Sequence, residues 1–200
     1  MEGTIVCFGD SNTYGYDPRE FGGGRYPEKI RWTGILKRET GLNVINSGLC
    51  GREIPSTSFE TEAVCRLAEE WRKEASPVRL WVMLGVNDLL KNGNFTAEDA
   101  AARMEVFLQN LQETPAVREG GIKLRLIAPP PVWYGTWVTE ERIYRESRRL
   151  DSCYSGLAGR HGIRCTETGD WDIPVAFDGV HFSEEGHLKF AENILKQNRL

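Results

Sequence analysis

The chain has 200 residues and a formal net charge of −4, enough for one domain that buries roughly 70% of its unfolded surface. An acidic balance without a run of Lys or Arg argues against a nucleic-acid partner, which favours a basic patch. No stretch approaches the ~20 apolar residues that cross a bilayer, and the N-terminus lacks the basic and apolar regions of a signal peptide. The five cysteines, Cys7, Cys50, Cys65, Cys153 and Cys165, are odd in number, widely spaced and without a C-x-x-C pair. Neither a disulfide framework nor a zinc site is indicated. Free thiols in a reducing cytoplasm are expected, with Cys50 a small buried filler rather than a reactive group.

The first apolar run, 4–8, reads as a buried strand and stops at Gly9-Asp10-Ser11-Asn12. Open α/β sheets place ligands at the carboxyl ends of their strands, so Ser11 is expected on a sharp turn with its hydroxyl free. The alternative is a serine that caps the next helix. Residues 14–30 carry Gly22-Gly23-Gly24 between two tyrosines and are not expected to be regular. A helix over 31–40 and a strand over 42–46 lead to Asn46-Ser47-Gly48-Leu49-Cys50-Gly51-Arg52, whose glycines let backbone N–H groups approach a ligand. A helix over 58–75 and a strand over 79–84 lead to Gly85-Val86-Asn87-Asp88. The helix over 97–113 opens on Thr96, with Asp99 three residues on in the manner of a capping box. After a strand over 123–128, the stiff segment 129–137 carries Trp133, Tyr134 and Trp137. A helix over 139–160, a weaker strand near 163–166, a loop over 167–182 and a helix over 184–197 capped by Ser183 complete the chain.

Strands alternating with helices imply a parallel sheet. The expected fold is a three-layer α/β/α sandwich with a central, mainly parallel, flavodoxin-like five-stranded sheet, one domain over residues 1–200.

Hydrolysis through a serine needs a base, a carboxylate that orients it, and donors for the oxyanion. Histidine is the usual base, and the chain has only His161, His181 and His187. His161 falls in a helix-to-strand turn and reads as a solvated cap; His187, inside the last helix, reads as a surface or capping residue. His181 follows Asp178 by three residues around Gly179, a spacing that lets a turn bring the carboxylate to one ring nitrogen. A hydrogen-bonded loop histidine remains the alternative. Asn87 directly after a strand can aim its amide at a developing negative charge, although Asn in a loop is usually a turn former.

Together Gly9-Asp10-Ser11, the glycine loop ending in Gly51, Gly85-Val86-Asn87-Asp88 and Asp178-Gly179-Val180-His181 resemble, in order, the motifs of the SGNH hydrolases, or GDSL esterase/lipase family. The resemblance, closest to small bacterial arylesterase-like members, spans residues 9 to 181. It implies Ser11 as nucleophile, His181 as general base and then acid, and Asp178 as the orienting carboxylate. It implies an oxyanion hole from the backbone N–H groups of Ser11 and Gly51 and the side chain of Asn87. Asp10 and Asp88 would tie their loops by accepting backbone N–H bonds. No cofactor and no metal is implied; the partner is a small-molecule ester, with short acyl chains, acyl transfer to alcohols and homo-oligomers known among such members. Asn12 stands where the family name has leucine, a change expected in the pocket lining.

Three other readings compete. A flavodoxin-like nucleotide- or phosphate-binding module would use 10–15 as its cradle, but leaves Asn87, Asp178 and His181 without a role. A metallophosphoesterase needs more His and Asp ligands. A non-catalytic interaction protein would have no use for the whole set. The pocket is expected from 14–30, 52–58 and 129–138, with Asn12, Arg52, Trp133, Tyr134 and Trp137 as its candidate residues. The three aromatics suit an acyl, aryl or sugar group, a subunit interface or burial within the domain equally well.

Overall fold

Six consecutive buried residues, Thr4–Gly9, form the interior strand β1, as a strand covered on both faces requires. The computed structural model describes residues 3–20, 23–75 and 77–198. Met1, Glu2, Phe21, Gly22, Ser76, Arg199 and Leu200 lie outside these, so the N-terminal reading and part of the glycine run fall outside the described residues. After β1 come α1 (Ser11–Tyr14), β2 (Tyr16–Asp17), β3 (Gly24–Arg25), α2 (Trp32–Thr40), β4 (Asn43–Gly48), α3 (Ser58–Ala75), β5 (Val78–Met83) and α4 (Val86–Lys91). Then follow α5 (Ala97–Glu113), α6 (Pro115–Arg118), β6 (Ile122–Ile127), α7 (Glu141–Arg160), β7 (Arg164–Thr166) and α8 (Glu184–Asn198).

The main sheet has five strands in the order β4-β1-β5-β6-β7, and every pairing is parallel. This is the flavodoxin-like order, with helices on both faces. Side chains alternate across a strand, and β1 divides its residues accordingly. Val6 and Phe8 join α3, α5 and α7 in one core, whereas Ile5 and Cys7 join α2 and α8 in the other. The capping box of α5 forms in both directions, Thr96 with Asp99, and Ser183 Oγ accepts from Gly186 N at the start of α8.

Two expectations change. Residues 14–30 are not wholly irregular, because β2 and β3 pair antiparallel, Tyr16 with Arg25 and Asp17 with Gly24. Two-residue strands have no periodicity to read. β4 runs past Asn46 to Gly48, so Ser47 and Gly48 are strand rather than loop, held in register with Phe8 and Gly9. The short elements α1, α4 and α6 carry no helical pattern either, yet α1 and α4 begin within three residues of a strand end.

Candidate active site

At the carboxyl end of β1 the chain turns sharply. Asp10 is the N-cap of α1 and its side chain accepts from Asn12 N at 2.9 Å, so Ser11 is the first helical residue and not the cap. His181 Nε2 lies 2.9 Å from Ser11 Oγ, and His181 Nδ1 lies 2.7 Å from Asp178 Oδ2. The other oxygen, Asp178 Oδ1, accepts from Val180 N and His181 N, each at 2.9 Å. Burial raises the cost of ionising Asp178, but the bonds from the His181 ring and the two backbone N–H groups outweigh it and hold its pKa below the usual value. An ionised carboxylate only accepts. Nδ1 therefore carries a proton, and Nε2 is left to accept from the Ser11 hydroxyl.

Two loops that follow different strands seat His181. Trp133 N donates to Gly179 O at 2.8 Å and Trp137 N to Asp178 O at 3.1 Å. The approach is so close that a Cβ on Gly135 would stand 2.3 Å from the Asp178 carbonyl carbon, and one on Gly179 (φ +83°) 2.1 Å from Trp133 O. Asn12 ties the Ser11 turn to the same loop. Its Nδ2 donates to Val180 O at 3.0 Å, and its Oδ1 accepts from Phe182 N at 2.8 Å. Both ends of the amide thus grip the backbone on either side of His181. Expected in the pocket lining, Asn12 is instead buried, 7% exposed, as a clip between two segments.

The loops after β4 and β5 meet beside this turn. Asn87 lies in the first turn of α4, not in a loop, and its Nδ2 donates to Arg52 O at 3.1 Å, leaving its second N–H for another acceptor. Among the described residues, the backbone N–H groups of Ser11 and Gly51 have no protein acceptor. Arg52 Nη1 donates to Gly9 O at 2.8 Å and to Ser47 O, and its guanidinium lies over the Phe8 ring at 4.1 Å, so it ties strand ends as well as lining a cavity. Asp88, fully buried, accepts from Ile54 N at 3.1 Å and from Arg103 Nη1 at 2.8 Å. Burial lifts the pKa of both Asp10 and Asp88 to about 6, against the lowering effect of these bonds.

The aromatic candidates separate. Trp137 stands edge-on to His181, ring centroids 4.9 Å apart, and Tyr16, which sequence reading did not single out, packs against the same ring at 4.5 Å. Only the short β2–β3 pair brings Tyr16 there, and no spacing in the sequence signals it. Trp133 and Tyr134 turn instead to Tyr144 on α7, at 5.9 and 4.9 Å. A cavity of about 410 Å³ lies against Tyr16, Trp137, Phe177 and Asp178. A second, of about 580 Å³, runs from Gly51 and Arg52 past Leu49 and Phe59.

Three further residues depart from expectation. Cys50 is exposed, not buried, and partial burial with the field of Asp10 pushes its thiol up rather than activating it. His161 caps α7, but its ring is bonded to Gln112 Oε1 and Glu105 Oε1, each at 3.0 Å, rather than solvated. His187 is fully buried. It is packed against Tyr26 and Phe182, and burial, then the field of Arg31, pushes its pKa down to about 3. Among the described residues no three of His, Cys, Asp or Glu gather as metal ligands, and no helix is long and apolar enough to cross a membrane.

The model of the GDSL-like Lipase/Acylhydrolase family matches residues 7–189. A comparison with curated proteins found no match. Among solved structures, an aryl esterase of M. smegmatis is 24% identical, with 98% of each chain covered and a TM-score of 0.82. A carbohydrate acetylesterase family member from Sinorhizobium meliloti is 25% identical over 100% of this chain and 98% of that one, with a TM-score of 0.80. Est24, a carbohydrate acetylesterase from the same organism, is 22% identical over 99% of both chains, with a TM-score of 0.81.

Proposed function

Since the chain belongs to the GDSL-like lipase/acylhydrolase family, we propose that it is a carboxylic ester hydrolase working through an acyl-enzyme on Ser11. The observation that carries this reading is the unbroken run of hydrogen bonds from Asp178 through His181 to Ser11 Oγ, at 2.7 and 2.9 Å. Ser11 Oγ attacks the ester carbonyl carbon while His181 Nε2 takes its proton, and Asp178 stabilises the imidazolium that forms. The oxygen that becomes negative is met by the N–H groups of Ser11 and Gly51 and the free N–H of Asn87, donors fixed before the reaction begins. Collapse expels the alcohol, protonated by His181. Water, deprotonated by the same nitrogen, then releases the acid. Replacing that water by an alcohol gives acyl transfer.

The substrates we assign are short-chain esters, acetyl or aryl, including acetylated sugars. Tyr16 and Trp137 place two aromatic rings beside His181, and the solved relatives named as aryl and carbohydrate esterases share this fold. Covalent labelling with a fluorophosphonate tests the nucleophile: the adduct is expected on Ser11 by peptide mass mapping. An adduct elsewhere, or none in active protein, removes the assignment.

A further inference from the structure

Away from the ester site the sheet carries a charge pattern that hydrolysis does not use. Side chains alternate along a strand, so Arg79 shares a face with Trp81 on β5, and Lys123 and Arg125 share it with Ile127 on β6. Register sets Arg79 beside Lys123 and Arg125 beside Arg164. Neighbouring strands lie about 4.8 Å apart, and like charges directly opposite one another are destabilising. All four cations line one cavity of about 460 Å³, whose walls hold no Asp or Glu. Among the described residues none of the four forms an ion pair. Arg79 also keeps a buried guanidinium nitrogen, Nη1, without a hydrogen-bond partner. Arg125 donates to Thr166 Oγ1 at 3.2 Å and lies over the Trp81 ring at 5.5 Å. Burial and then the fields of Arg164 and Arg79 weaken its hold on a proton. A chain of net charge −4 thus concentrates unpaired cations in a single hollow.

We propose that this hollow binds a small multivalent oxyanion of the phosphate class. Guanidinium groups pair with such oxygens in bidentate fashion, Gln112, whose Nε2 already donates to His161 O, keeps a second N–H at the wall, and the volume suits a small molecule. Arg79 is the second residue of β5 and Arg164 the first of β7, whereas Ser11 follows the carboxyl end of β1. Occupancy therefore stabilises the fold by linkage without touching the ester.

Titration calorimetry with pyrophosphate, inorganic phosphate and glycerol phosphate as separate arms, at constant ionic strength, tests the proposal. Saturable one-to-one binding and a raised unfolding midpoint are expected. Lys123→Gln and Arg164→Gln, both at exposed positions, should each weaken binding ~10-fold, raise the midpoint in anion-free buffer, and leave p-nitrophenyl acetate turnover unchanged. No saturable heat, or undiminished binding in the double variant, overturns it. Binding seen only in Glu2→Gln also overturns it, because the chain's own carboxylate would then serve these cations.

Discussion

His181 and His187 are six residues apart and both buried, at 2% and 0% exposed, yet the loop around one and the helix around the other give opposite surroundings. His181 has a carboxylate on one nitrogen and a hydroxyl on the other. His187 receives a single long bond from Trp32 N at 3.4 Å, lies among aromatic rings, and leaves Nε2 unpartnered. Burial alone makes a neutral, inert imidazole; an anionic partner on the far nitrogen is what lets a buried ring accept a proton. The loop supplies that partner because Asp178 and His181 fold around Gly179, whereas a helix interior offers His187 no such reach.

Substitutions on the two sides should split along the same line. Ser11→Ala is expected to lower kcat by roughly 10⁴ or more with an unchanged thermal midpoint, and comparable turnover of p-nitrophenyl acetate would end the nucleophile assignment. Asn87→Ala should reduce kcat by roughly 10²–10³ at constant KM. A rise in KM alone would place Asn87 in substrate binding instead. Asn12→Leu removes both clips on the His181 backbone. It should lower kcat by about 10–10² with KM retained and depress the melting temperature, because Phe182 N and Val180 O lose their partners; Asn12→Asp, which keeps the acceptor, should fall between.

On the His187 side the expected effect is on stability and not on turnover. Its folded pKa of about 3 lies below the ordinary 6.5. The unfolded chain therefore takes up a proton first, and stability is fully present above pH 6.5 and lost as pH falls toward 3. The loss is on the order of 5 kcal/mol. Asp10 and Asp88 act with opposite sign: their folded pKa values, about 6, exceed the ordinary 3.8, so stability falls as pH rises between these values. His187→Phe should thus leave kcat near the parent value while removing the acid-side loss in denaturant midpoints read from pH 7 to pH 4. A parallel loss in both proteins would mean that the imidazole is not the group that titrates.

Much of this was legible along the chain. The five main strands and five long helices follow from runs and periodicity, and their alternation from the parallel sheet they build. What could not be read were elements too short for a period, α1, α4 and the β2–β3 pair, and these carry Ser11, Asn87 and Tyr16. Residue type misled at Cys50 and His187, because thiol and imidazole fit either a surface or a core and only packing decides. Trp133, Tyr134 and Trp137 sit within five residues, yet only Trp137 meets His181, since Gly135 turns the backbone between them against Asp178.

The order of apolar runs, the glycine-bounded strand ends and the Asp178–His181 spacing are local properties, so the sequence alone determined the fold class and which residues could take part in the chemistry. Only the tertiary structure decided which of them meet. The distance from Ser11 to His181 spans 170 residues and is set by sheet order, by two loops closing over their glycines and by the Asn12 amide, none of which leaves a mark at the residues themselves.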